Sequence, residues 1–327
     1  MYADFSSALS TNLLSPPVLF FALGLFAAVL RSDLRLPEPL YVTLTIYLLT
    51  ALGLKGGVAI REEGLASVAV PGLVAIALGT AIPFWCYAAL RRFGGLGGAD
   101  AASVAAHYGS VSAVTFIAAT NYLKSLGVPY ESYTTAFLAV MESPAIVVGV
   151  LLGRSAIGNK GGEPFSLGPV LREAFLGRSV VLLTGALLVG FLAGPTGMVK
   201  IEPFFVTPFQ GALALFLLEM GLVTGRRLGD LRQVGPFLAL FALLAPVLHA
   251  CLGVALGLWV GLSPGGATLF GVLAASASYI AAPAAMRLSL PEASPALSLT
   301  PALALTFPFN LSFGIPLCHA LAGAWSS

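Results

Sequence analysis

Hydrophobic positions in this chain come in long unbroken runs, near residues 15–31, 37–56, 65–90, 101–126, 132–153, 178–195, 207–225, 234–260, 265–289 and 296–323. Each is close to the roughly 20 apolar residues that carry a helix across the hydrocarbon layer. None alternates apolar with polar residues, and each is about twice the length of a membrane strand, so helices are expected and a barrel is not. Clusters such as Gly94 to Gly98 and Ser263 to Gly266 punctuate the runs. The pattern predicts an all-α integral membrane protein with ten transmembrane helices.

The runs fall into two halves that echo each other in order. Gly53-Leu54-Lys55-Gly56-Gly57 ends the second span, and Gly221-Leu222-Val223-Thr224-Gly225 ends the seventh; this match sets Ala51 opposite Glu219. Gly109-Ser110-Val111-Ser112-Ala113 lies inside the fourth span and Ala275-Ser276-Ala277-Ser278-Tyr279 inside the ninth. Five spans per half is odd, so the second copy enters the membrane from the opposite side. Inverted repeats of this kind are an architecture of secondary transporters, with the solute near the midplane between broken helices. The expected organisation is a first five-helix repeat over 1–153, a linker over 154–177 and a second repeat over 178–327.

Composition agrees: 58% of residues are hydrophobic, 9% are charged, and the mean hydropathy is +0.95. A chain so poor in charge cannot build a water-facing exterior. The net charge of +2 is too small, and the basic residues too scattered, for a nucleic-acid surface. Their placement is informative instead, because twelve (Arg31, Arg35, Arg91, Arg92, Arg154, Lys160, Arg172, Arg178, Arg226, Arg227, Arg232 and Arg287) fall on one side of the ten spans. Lys55, Arg61, Lys124 and Lys200 fall on the other. Positive charge is retained in the cytoplasm, so the linker is expected inside and both termini outside. No basic residue precedes the first apolar run, so the first span is expected to stay in the protein. Cys86, Cys251 and Cys318 lie in apolar stretches without metal-ligand or disulfide spacing and read as small core residues.

An anion entering lipid must recover the hydrogen bonds it had in water, and the N-termini of half-helices offer free N–H groups and a positive dipole end. Ser-x-Ser beside small residues suits such a break, since hydroxyls add donors and small residues admit close approach. Antiparallel copies would let Ser110, Ser112, Ser276 and Ser278 converge, with Gly109 and Ala277 in the same elements. A single Ser-x-Ser is also what hydroxyls bonded within their own helix would leave, so recurrence at equivalent places carries the argument. Ionisable residues at membrane depth are costly and mark function, which singles out His107, Glu142, Glu219 and His249. Glu142 precedes Ser143-Pro144, and Phe307-Pro308-Phe309-Asn310 sits near the matching point of the tenth span. Carbonyls freed by Pro, with the Glu142 carboxylate or the Asn310 amide, are hard ligands for sodium; a kink with a polar packing contact is the other reading. Glu219, without a carboxylate opposite, is a second coupling candidate. His107 lies two residues before the Gly109 element and is expected to face the same cavity; His249 and His319 read as satisfied packing residues.

On these residues the chain resembles the sodium-dependent bicarbonate transporter family, the SbtA-like permeases. The resemblance covers nearly the whole chain and rests on Gly53 to Gly57, Gly109 to Ala113, Met141-Glu142-Ser143-Pro144-Ala145, Ser276 to Pro283 and Phe307 to Asn310. It implies a core and a gate domain, a homotrimer in a bacterial inner membrane, sodium as coupling ion and no further cofactor. Bicarbonate is implied between the two broken helices, at Ser110, Ser112, Ser276 and Ser278. A PII-like regulator is implied too, although the linker here is shorter than in cyanobacterial members. The expected function is sodium-dependent bicarbonate uptake, with a sodium- or proton-coupled organic anion carrier as alternative and a channel as a further one. An intramembrane serine hydrolase built on His107 and Ser110 lacks a visible group to orient its base.

Overall fold

A computed structural model describes residues 5–157 and 167–326, and its regular elements are all helical. The first part holds α1 (Phe5–Leu13), α2 (Pro16–Val29), α3 (Glu38–Glu63), α4 (Leu65–Arg92), α5 (Gly98–Gly109), α6 (Ala113–Ser125) and α7 (Thr135–Ile157). The second holds α8 (Leu167–Leu176), α9 (Arg178–Met198), α10 (Glu202–Phe205), α11 (Phe209–Arg227), α12 (Gly235–Trp259), α13 (Pro264–Ala275) and α14 (Ala281–Ser289). It closes with α15 (Pro295–Pro301), α16 (Phe307–Phe309) and α17 (Ile315–Ser326), joined through two π-helical stretches. Eight helical units are long and apolar enough to cross a membrane, or up to nine if α1 and α2, bent by 61°, count as one. The α5–α6 pair is among the eight, whereas α13 is shorter.

Local chemistry sets the ends. Pro16 and Pro17 open α2, where a missing N–H costs nothing. Gly64 turns α3 into α4 at φ 84°, a conformation that side chains with a Cβ resist. Two carboxylates tie the halves together beyond the helices themselves. Glu131 accepts from the N–H and hydroxyl of Ser263 at 2.8 and 2.9 Å, just before α13. Asp100, in the first turn of α5, accepts from the N–H of Ser294 at 2.8 Å, just before α15.

The most extensive helix contacts pair α2 with α11 and α3 with α9. Both pairs close on glycine, and in matching fashion. A Cβ on Gly24 would strike the Leu218 carbonyl, and one on Gly190 the Leu54 carbonyl; Gly221 lies likewise against Phe21, and Gly57 against Leu187. Gly53 meets Leu183, Gly57 meets Leu187 and Phe191, and Arg61 donates to the carbonyls of Phe191 and Leu192. The contact positions advance together along the two helices, so α3 and α9 are parallel. Gly24 against Leu218 and Gly225 against Ala28 make α2 and α11 parallel as well.

This packing corrects the internal alignment made from sequence. Gly57 corresponds to Gly221 and Leu54 to Leu218, so the residue equivalent to Glu219 is Lys55, not Ala51. Motif matching slid by one helical turn because both segments are runs of Gly and Leu. The expected linker also contains more structure than its polarity suggested. Its second half is α8, whose Ala174 carbonyl accepts from the Ser143 hydroxyl of α7 at 2.6 Å; residues 158–166, with Gly158 and Lys160, lie outside the described residues.

Candidate functional site

The fourth and ninth apolar runs both break in mid-span. After α5 the chain extends through Ser110 (φ −82°, ψ 172°) and Ser112 (φ −109°, ψ 112°), and after α13 through Ser276 (φ −81°, ψ 165°). Serine favours this because its hydroxyl offers the backbone a partner outside the helical ladder. Ser112 Oγ caps α6, accepting from Thr115 N at 3.2 Å and Thr115 Oγ1 at 2.9 Å. Ser278 Oγ accepts from Ala282 N at 3.2 Å, in the first turn of α14.

The two breaks cross and hold each other. Ser112 N donates to Ser276 Oγ at 2.8 Å, Ser276 Oγ donates to Leu273 O at 2.8 Å, and Ser278 N donates to His107 O at 2.8 Å. Asn310 Nδ2 donates to Ala275 O at 2.8 Å, capping the end of α13 from the last span. Ser110 and Ser276, at equivalent places in the two breaks, are held differently. Ser276 bonds back to the carbonyl three residues earlier, but the equivalent carbonyl of His107 is taken by Ser278 N, and the buried Ser110 hydroxyl has no partner.

A small cavity of about 30 Å³ lies on one side of the crossing. Ser112, Ala113, Val114, Ser278 and Tyr279 line it from the breaks, Glu142 from α7, Thr45 from α3, Ser179 from α9 and Phe216 from α11. Its polar groups are mostly donors. Tyr279 OH accepts from Ser112 Oγ at 3.0 Å and so keeps its own hydrogen for a ligand. The Ser278 hydroxyl is in the same position, since its contact with Ala282 uses only a lone pair. Ala113 and Val114 are in the first turn of α6, whose N–H groups have no carbonyl one turn earlier to bond. Among the described residues, Glu142 is the carboxylate of the cavity and no Lys or Arg lines it. A second cavity of about 250 Å³, shared at Thr45, Ser179 and Ile280, leads outward past Tyr41, Glu173, Arg178 and Ala281 toward α8.

A family model described as the Na+-dependent bicarbonate transporter superfamily matches residues 16–323. The chain belongs to that superfamily. It is therefore a multi-pass membrane protein of a transporter family; no curated protein matches it significantly.

The structure brings Ser112, Ser278 and Glu142 of this superfamily member to one cavity and leaves the other candidates around it. Ser276 and Asn310 hold the crossing, although Asn310 Oδ1 is buried without a partner. Gly109 packs on the Pro83 ring and Ala145, and Ala277 is buried outside the lining. His107 does not face this cavity. Its Nδ1 bonds to Ser103 O at 2.8 Å, and the ring lines a separate pocket with Met286 and Arg287, because the two residues to Gly109 turn the helix through about 200° and leave the ring on the other side of the crossing. Glu219 also lies elsewhere, buried on α11 one turn beyond Phe216, with Oε2 unpartnered. Arg226 and Tyr41 interact with it electrostatically, and the backbone of Leu36 hydrogen-bonds to it. Two other histidines are packed against aromatic partners: His249 takes Trp85 Nε1 at 3.0 Å, and His319 lies 3.1 Å from Tyr122 OH.

Sequence reading missed Tyr279, Thr115 and Thr45. Tyr279 was within reach, since it directly follows Ser-x-Ser, and Thr115 sits where a capped helix takes its third residue. Thr45 and Ser179 carried no signal, because only the packing of α3 and α9 brings them to the cavity.

Proposed function

We propose that this chain is a secondary active transporter that takes up bicarbonate together with sodium. The observation that carries this reading is a carboxylate, Glu142, in one apolar cavity with the donors of both helix breaks and without a basic side chain. An anion on those donors beside Glu142 needs a cation to offset like charge, and sodium fits a carboxylate with hydroxyl oxygens. Small hydroxyl and backbone donors favour an ion of bicarbonate's size over a larger organic anion.

Ten crossings in two inverted five-span repeats account for the packing. Parallel α3 and α9 need an odd number of crossings between them, which holds when α4, the broken α5–α6 unit and α7 each cross once. The α13–α14 unit, tied at its start to Glu131 and followed by the tie of Ser294 to Asp100, makes the tenth. The Arg-rich face with α8 is the cytoplasmic one, in a bacterial inner membrane, and the cleft past Arg178 is its inward opening. A homotrimer and a PII-like regulator remain part of the family expectation. A reporter fused after Gly158 is expected inside and one at Ser327 outside; finding both on one side removes this topology.

The function is tested by labelled bicarbonate uptake into proteoliposomes under imposed gradients. Sodium is expected to lower the half-saturation for bicarbonate, and bicarbonate that for sodium, because linkage is reciprocal. Uptake that follows a proton gradient, ignores sodium and is lost in His107→Ala would replace sodium by proton coupling. Turnover without accumulation would point to an enzyme, and accumulation that never exceeds equilibrium to a channel.

A further inference from the structure

The internal relation that pairs Gly57 with Gly221 also pairs Lys55 with Glu219, two ionisable residues of opposite sign at equivalent membrane depth. Lys55 is half-buried on α3, ten residues beyond the Thr45 that lines the cleft, or about 15 Å further along the helix. Its ammonium stands 5.5 Å from the centroid of the Phe209 ring and makes no ion pair among the described residues. Glu202 and Lys124 are the charged groups that act on it. A cation at this depth is costly, and a ring face offsets only part of that cost.

The same relation says what surrounds Lys55 in the complementary state. Tyr41, Val42 and Thr45 line the cleft beside α8, and the same register carried along the sequence pairs them with Phe205, Val206 and Phe209, the last of which packs on Lys55. An inverted repeat that opens one mouth here opens the equivalent mouth when the two domains exchange positions. We propose that Lys55 is the cation which that opposite mouth presents to an incoming anion, its ammonium leaving the Phe209 ring to face the open cleft. The central cavity has no basic residue of its own, so Lys55 raises the local anion concentration at entry and does not hold the anion at the midplane. Its internal equivalent, Glu219, does not line the mouth beside α8, whose charged residues are Glu173 and Arg178, so the charged groups at the two mouths are not related by the repeat.

This inference rests on the anion-transport reading, and two measurements keep them apart. In oriented proteoliposomes, Lys55→Gln is expected to raise the half-saturation for bicarbonate added at the face opposite α8 roughly tenfold, less at high ionic strength. Half-saturation at the α8 face stays as in the wild type, and Lys55→Arg retains the wild-type value at both. An unchanged value in Lys55→Gln, or an equal rise at both faces, overturns the proposal. The second measurement needs no substrate. With the native cysteines replaced, Val206→Cys is labelled from the face opposite α8 by an anionic and a cationic thiosulfonate, with Lys55 present and with Lys55→Gln. The anionic-to-cationic rate ratio is expected to fall severalfold without Lys55. An unchanged ratio, or no labelling from that face, overturns the proposal even if the chain carries no bicarbonate.

Discussion

Glu142→Gln is expected to abolish the sodium dependence of transport while leaving the chain folded. Glu142 is 7% exposed and lies in the cavity where the donors of both breaks converge. Losing one partner of a buried charge pair typically costs about 3 kcal/mol or more, so the sodium half-saturation should rise on the order of a hundredfold. Gln keeps the shape of the side chain and removes a buried charge, so stability without sodium should hold or increase. Sodium-induced stabilisation, which measures binding to the folded state directly, should disappear. Glu219→Gln should keep it, because Glu219 lies outside the cavity. A Glu142→Gln protein that is less stable but still stabilised by sodium would make Glu142 a packing residue.

Tyr279→Phe is expected to weaken anion affinity ten- to a hundredfold with little loss of stability. The ring keeps its edge contact with Phe307, at 5.3 Å between centroids, and only the hydroxyl at the end of the Thr115, Ser112, Tyr279 chain is lost. A hydrogen bond to a charged ligand contributes about 1.5–3 kcal/mol, which sets that range. Ser276→Ala should behave differently. It strands the buried N–H of Ser112, at a cost of about 1–3 kcal/mol, so it lowers stability as well as transport. Ser110→Ala removes a hydroxyl that has no partner, so a loss of affinity there without a loss of stability would assign that hydroxyl to a ligand. Unchanged half-saturation in Tyr279→Phe would move the anion away from the crossing.

The helices were legible in the sequence because the bilayer imposes one strong rule: a spanning segment must be apolar for about 20 residues and satisfy its own backbone. Each of the ten expected runs falls on a helix or a broken run of helices, to within a few residues at most ends, and the first is preceded by a further helix, α1. The two Ser-x-Ser breaks were legible for a related reason, since polar residues amid small ones inside an apolar run need a local explanation. Charge placement marked the face on which α8 and Arg178 are found.

What the one-dimensional pattern lacks is direction around a helix and the partner across it. His107 was expected in the cavity because it is two residues from Gly109, but two residues turn a helix through about 200°, and only the crossing with α13 decides which side is which. Ser110, Ser112, Ser276 and Ser278 looked alike as four hydroxyls. The tertiary hydrogen bonds made Ser276 a strut, Ser112 and Ser278 caps on the cavity wall, and Ser110 an unpaired group. Lys55 and Glu219 became equivalents only when glycine contacts set the register of α3 on α9 and α2 on α11, because close packing resolves a one-turn slip that a Gly- and Leu-rich sequence tolerates. The sequence by itself determined an all-helical membrane protein, its apolar spans and the places where two of them break, since these follow from solvation of the backbone. Which side chains share a cavity was decided by the tertiary structure, because that depends on helix rotation and register, which only packing against a neighbour selects.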